Sequence, residues 1–198
     1  TPNKRFWLTY NGEIYNYREI RAELQARGVV FRTESDSEVL LMAYATWGEA
    51  ALDKLMGMYA FIIWDARDQI LFAARDRFGI KPLFYCTGGR GVAFGSEIKQ
   101  LLDLPGGERR MVLSRTWDFL VTGVTDHASN TMFTGIRQLR AGECVRLDLS
   151  RWKPGDDLPV RQYYDIPREP GPALSEAEAA DTFRELFIDS IKLHLRSD

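Results

Sequence analysis

Cysteine and histidine are scarce in this sequence: its 198 residues hold only Cys86, Cys144, His127 and His194. Two cysteines make no disulfide framework, and they fit a reducing compartment. With so few of either residue, a Cys/His zinc site is not expected. Charge of one sign is missing too. The 26 Lys and Arg nearly balance the 28 Asp and Glu, so nothing electrostatic points to nucleic acid or an anionic membrane. No apolar run approaches a membrane span, and the first residues carry no signal-peptide pattern. A cytoplasmic protein, with neither nucleic acid nor membrane among its partners, is the expectation. The glycine-rich, lysine-ending loop of a P-loop is absent as well, so nucleotide binding is not expected here.

What is present is enough apolar sequence for a sizeable core. Hydrophobic residues make up 45% of a length that suits one large domain or two small ones. "WLTY" (7–10) reads as a strand end, and Asn11-Gly12 as a type I′ hairpin turn. A helix follows from Asn16, which can cap it with Glu19 completing a capping box. Tyr17, Ile20 and Leu24 mark its buried face, Glu23 and Arg27 form an i,i+4 pair, and Gly28 stops it. "VVF" (29–31) reads as a short strand and "TESDS" (33–37) as a turn. A second helix follows, with Leu40, Ala43, Tyr44 and Trp47 at helical spacing. From Gly57 to Ser96 the short aromatic and β-branched runs read as an antiparallel meander. Short helices are expected at "EIKQLL" and at 114–123, and a strand at 143–149. A last amphipathic helix begins at Ser175, capped with Glu178, with Phe183, Leu186, Phe187, Ile191 and Leu195 along one side. Helices packed on antiparallel sheets give an α+β class.

Each candidate for chemistry has a plain alternative. Asn11 and Gly12 can supply an oxyanion hole from a side-chain amide and a backbone N–H, or simply make a turn. Glu13 can be a solvated charge and Asn16 a helix cap. Asp36 in "ESDSE" can meet a substrate ammonium, or favour the helix dipole. "RDRFGIKPLFY" (75–85) reads as a structural network around Arg75 and Asp76. Glu97 and Lys99 read as surface positions. Cys86 and Cys144 lie in apolar strand patterns and read as buried and inert; neither histidine has a visible triad partner.

The order of these motifs is more specific than any one of them. "YNGEIYNYREIRAEL", "SDSEVLLMAY", "WGEAALDKLMGMYAFIIWD", "LFAARDRFGIKPLFY" and "FGSEIKQLL" together resemble the glutaminase domain of the asparagine synthetase family. That domain is a class II glutamine amidotransferase of the N-terminal-nucleophile hydrolase type. The resemblance is strong over 10–102, looser to 149, and resumes at "FIDSIKLHLRSD". It implies a four-layer α/β/β/α sandwich of two stacked, mainly antiparallel sheets. It also implies an N-terminal cysteine nucleophile whose own amine is the general base, an amine with an ordinary pKa of about 7.7–8.0. On this resemblance Asn11 and Gly12 form the oxyanion hole, Glu13 and Asp36 bind the α-ammonium of L-glutamine, and Asn16 orders the site.

The resemblance also implies what these residues do not include. The family's cysteine and its carboxylate-clamping arginine precede the matching motifs. Residues 1–174 are therefore read as a domain lacking its front, and 175–198 as a helix leading to a synthetase domain. ATP and Mg²⁺ would belong to that domain, with no cofactor here. A polypeptide of these residues alone is expected to be inactive and, with a sheet edge left open, to self-associate. Thr1 as a substitute nucleophile and Arg5 as the clamp are weighed and set aside. A homodimer is a candidate assembly. Two alternatives stand beside glutaminase action for asparagine synthesis: an amidotransferase for another acceptor, and a non-catalytic amino-acid-binding module.

Overall fold

The computed structural model describes residues 1, 4–88, 91–104, 109–169, 171 and 173–196. Strand β1 (Phe6–Ile14) leads into helices α1 (Tyr17–Ala26) and α2 (Asp36–Trp47), and a single turn α3 (Ala51–Lys54) follows. Then come β2 (Gly57–Asp65), β3 (Ile70–Arg75), β4 (Phe84–Gly88), β5 (Gly91–Gly95), α4 (Ile98–Leu102) and α5 (Leu113–Thr122). The chain ends in β6 (Ile136–Gln138), β7 (Glu143–Asp148), β8 (Val160–Gln162) and α6 (Glu176–His194). Strands β1-β2-β3-β7-β8 form one antiparallel sheet and β5-β4-β6 another.

Strand alternation builds the layers. In β2 and β3, Tyr59, Phe61, Ile63, Phe72 and Ala74 face α1 and α2, where Ile20, Leu24, Val39, Leu40 and Ala43 meet them. Their neighbours Ala60, Ile62, Leu71 and Ala73 turn the other way. There they pack with Tyr85 and Phe94 of the small sheet and Val145 and Leu147 of β7. On the far side of the small sheet, α4 buries Leu101 and sets Gln100 over Gly95. The order helix, sheet, sheet, helix is the four-layer sandwich that the resemblance implied.

Three local expectations are corrected. Asn11-Gly12 is not a turn: it lies inside β1, paired with Ala60 and Tyr59. The pair has turn propensity, but nine residues of ladder with β2 override it. Residues 29–31 form no strand; Val29 instead closes the C-terminus of α1, its N–H donating to Leu24 O while Gly28, at φ 87°, donates to Gln25 O. The runs from Gly57 to Ser96 are strands, but not one meander. They form two hairpins in different sheets, because the chain crosses between layers after β3. At the other end of the chain, α6 begins with the expected Ser175–Glu178 capping box. Its apolar side, Phe183 to Leu195, is exposed along its length.

The crossing is fixed by Arg75 and Asp76, each bonded to backbone and not to each other. Arg75 donates to the carbonyls of Gly79, Lys81 and Leu139. Asp76, fully buried, accepts four backbone N–H groups. At the opposite end of β2, Asp65 accepts from Arg5 and from the N–H groups of Arg67 and Asp68. The Arg5 hydrogen bonds, first of all, hold its carboxyl below the usual range. A lowered folded pKa stabilises the fold at pH values above the unfolded value near ~4, and this is lost as pH falls through the folded pKa. Asp65→Asn is expected to cost about 1–2 kcal/mol at pH 7. In urea unfolding, the gap from wild type should narrow between pH 6 and pH 3; a constant gap would refute the assignment.

Candidate amino-acid site at the open edge of β1

The site grows from the backbone of β1. Arg5 O accepts from Ala66 N–H, and Tyr15 N–H donates to Met56 O. Odd-numbered residues of the strand therefore aim their backbone groups at β2, and even-numbered ones aim theirs outward. At Phe6 the outward groups are taken by Thr1, whose amine donates to Phe6 O at 2.7 Å and whose Oγ1 accepts from Phe6 N–H. At Ile14 the N–H donates to Asp36 Oδ2 at 3.0 Å. Between these two ends, none among the described residues pairs with the outward backbone groups of Leu8, Tyr10 and Gly12, which form an open edge. The Gly12 N–H thus points away from the ladder, as an oxyanion donor requires.

Gly12 is required by close approach. A Cβ at this position, where φ is 155°, would lie 2.2 Å from Met58 O and 2.7 Å from Tyr59 Cα. Gly57 faces it diagonally, with the Glu13 carbonyl 2.1 Å from where its own Cβ would be. The two glycines draw β1 and β2 together beneath the site.

Around this edge opens a solvent-connected cavity of about 130 Å³, lined by Gly12, Glu13, Ile14, Tyr15, Tyr17, Asp36 and Arg196. Asp36 enters from the first turn of α2, behind the Ser35 cap that accepts from Ser37 N–H. Its Oδ2 also accepts from the Tyr10 hydroxyl at 2.7 Å. Burial, and then this bond, push the Tyr10 pKa up. Burial, and then the negative field of Glu13, raise that of Tyr15 as well. Both phenols therefore stay neutral, and the two carboxylates give the pocket its negative charge.

Two of the expected residues lie beside the cavity. Asn11 is exposed on the neighbouring face of β1, where its Nδ2 donates to Ser96 Oγ at 3.3 Å. Asn16 precedes α1 but makes no side-chain cap. Its Nδ2 donates to Lys54 O and its Oδ1 accepts from Met56 N–H, which ties the entry of β2 to the exit of β1. Glu19, expected to complete the box, instead accepts from Arg196 at 2.6 Å. Arg196 was not foreseen, since no local spacing links the end of the chain to its beginning.

No thiol of this sequence stands at the site. Cys144 lies on β7, separated from β1 by β2 and β3, and burial pushes its pKa up to about 11. Cys86 lies in the other sheet, and burial raises it too. Thr1 sits beside Phe6, about 20 Å along β1 from Gly12 at ordinary strand rise. Arg5 is held by Asp65 and Asp68 at that same distant end. Among the described residues no group of three His, Cys, Asp or Glu side chains is placed to hold a metal, and no helix is long and apolar enough to cross a membrane.

Two stacked antiparallel sheets between helices define the class first: the sandwich of N-terminal-nucleophile amidotransferases. A solved structure, glutamine phosphoribosylpyrophosphate amidotransferase from B. subtilis complexed with ADP and GMP, shares this fold. It has a TM-score of 0.52 and 22% identity, over 80% of this chain and 29% of that one. The family model described as "Glutamine amidotransferase domain" matches residues 1–163, and the chain belongs to that family. Asparagine synthetase [glutamine-hydrolyzing] 1 of Bacillus subtilis (strain 168) is 34% identical over 99% of this chain and 30% of its own length. A putative asparagine synthetase [glutamine-hydrolyzing] of Mycobacterium bovis (strain ATCC BAA-935 / AF2122/97) is 38% identical over 98% and 30%. The chain thus spans about 30% of the length of these curated relatives.

Proposed function

We propose that this domain binds L-glutamine at the edge of β1 and releases its side-chain nitrogen as ammonia. In the whole protein that ammonia would amidate aspartate. The observation that carries the binding step is the meeting of Gly12, Glu13 and Asp36 at one cavity. Glu13 and Asp36, whose Oδ1 accepts only a long bond from the Ser37 hydroxyl at 3.4 Å, suit an α-ammonium group by charge and hydrogen bonding. When a nucleophile adds to the amide carbon, the carbonyl oxygen gains negative charge. The Gly12 N–H and the Asn11 side-chain amide would take that charge, once Asn11 turns from Ser96. Collapse of the adduct then expels ammonia, and water cleaves the acyl intermediate. Asn16 keeps the two strand ends in register. The acceptor is assigned from the relatives named as asparagine synthetases. Residues 1–174 would form the glutaminase domain, and α6 would lead toward a synthetase domain that carries ATP and Mg²⁺. The scarcity of cysteine agrees with a cytoplasmic setting.

The test is ammonia release from L-glutamine. The full-length protein should show it, and Asn11→Ala should lower the rate on the order of 10²–10³-fold. A polypeptide of residues 1–198 alone should release none, since neither of its thiols reaches the site. Turnover by that polypeptide, or an unimpaired Asn11→Ala enzyme, would contradict the proposal.

A further inference from the structure

The two oxygens of Asp36 are bonded very unequally. Oδ2 accepts from the Ile14 N–H at 3.0 Å and from the Tyr10 hydroxyl at 2.7 Å. Both donors belong to β1. The first is backbone, which any residue at position 14 except proline would supply; the second needs a tyrosine at position 10. Among the described residues, Oδ1 accepts only from the Ser37 hydroxyl at 3.4 Å, a long contact for O–H···O. Asp36 lines the cavity, and Tyr10 is not among the lining residues. The Tyr10 ring packs instead against the main core. Burial, and then the Asp36 bond, raise the Tyr10 pKa, so the hydroxyl keeps the proton that it donates.

We infer that Tyr10 is a positioning residue of the amino-acid site: its hydroxyl fixes the plane of the Asp36 carboxylate, so that Oδ1 is the oxygen presented to the α-ammonium. The inference rests on the glutamine reading above and deepens it. The Ser35 cap fixes the backbone that carries Asp36, but the terminal torsion of an aspartate is broad and roughly two-fold. One donor on one oxygen locates the carboxylate and still lets it turn. A second donor on the same oxygen stops the turning. With two donors, Oδ2 has little acceptor capacity left, and the ligand's ammonium is directed to Oδ1. Tyr10 thus acts through Asp36 without touching the ligand. The glutamine side chain separates the α-ammonium from the reacting amide. Contacts to the ammonium are therefore equal in the ground and transition states, and weakening them raises KM while kcat holds.

The experiment is steady-state ammonia release from L-glutamine by the full-length protein, with Tyr10→Phe, Asp36→Ala and the double variant. Tyr10→Phe keeps the ring and removes only the hydroxyl. It should raise KM by about three- to tenfold, less than a whole hydrogen bond to a charged group because the Ile14 N–H still holds Oδ2, and leave kcat within about a factor of two. In the Asp36→Ala background there is no carboxylate to position, and the same substitution should change KM by less than about twofold. A merely structural role would lower kcat, or change KM equally in both backgrounds; either result overturns the inference, as does an unchanged KM in Tyr10→Phe. Asp36→Ala alone separates the two levels. If it leaves KM unchanged, the glutamine reading of the cavity itself fails; if it raises KM while Tyr10→Phe does not, only the role of Tyr10 falls.

Discussion

Gly12→Ala is expected to destabilise the domain by about 3 kcal/mol and to abolish glutamine binding. The added methyl has nowhere to go. Its nearest neighbours, Met58 O at 2.2 Å and Tyr59 Cα at 2.7 Å, are backbone atoms of the adjoining strand. A side chain can rotate away from such a clash, but a ladder can relieve it only by separating. Overpacking of a tight core ordinarily costs about 1–3 kcal/mol, and backbone strain at an unfavourable φ adds to it. Separation of β1 from β2 would also shift Glu13 and the Gly12 N–H together, so stability and binding should fail as one event. Gly88→Ala is the matched control. A Cβ there meets nothing within 4 Å, and the expected change is within about 0.5 kcal/mol. Urea unfolding of both variants checks the pair. A Gly12→Ala protein within about 1 kcal/mol of wild type would show that the strands are not held at this spacing.

Asp76→Asn should be nearly as damaging, although it changes no volume. Oδ2 accepts from Tyr59 N–H at 3.1 Å and Lys81 N–H at 2.9 Å, while Oδ1 accepts from Phe78 N–H and Ile80 N–H at 3.0 Å each. A carboxylate can accept on both sides, but an amide cannot. Whichever way the asparagine sits, its NH₂ faces two backbone donors with no water to replace the lost acceptor. The expected cost is about 3 kcal/mol, the scale of buried donors left unpaired. Loosening should appear in the 77–83 crossing and at Tyr59, opposite Gly12. Amide hydrogen exchange at Ile80 and Lys81 reads this directly: both should lose protection in the variant. Retained protection would mean that the crossing is held by Arg75 alone.

The α+β class was legible in the sequence from helical spacings such as Leu40, Ala43, Tyr44 and Trp47 beside the short aromatic and β-branched runs from Gly57 to Ser96. The two stacked sheets came from the resemblance carried by the order of the motifs, not from any one strand. The local errors share a cause. Asn-Gly carries hairpin propensity and Asn16 carries capping propensity, yet partners more than thirty residues away decide both conformations: β2 for Asn11-Gly12, and Lys54 and Met56 for Asn16. The split of the presumed meander has the same origin. Nothing local distinguishes a strand that returns to its neighbour from one that crosses to the next sheet, and the Asp76 turn that makes the crossing is built from backbone bonds. Of the site, the residues near each other in sequence were readable as motifs. Arg196 was not, because only α6 folding back onto Tyr15 and Glu19 brings it there.

A crystal structure of the full-length protein with L-glutamine bound tests the site most directly. The α-ammonium should lie within hydrogen-bond distance of the Glu13 and Asp36 carboxylates, and the side-chain carbonyl oxygen should face Gly12 N–H, with Asn11 turned toward it from Ser96. Glutamine found away from the edge of β1, or seated there with its ammonium apart from Glu13 and Asp36, would contradict the site.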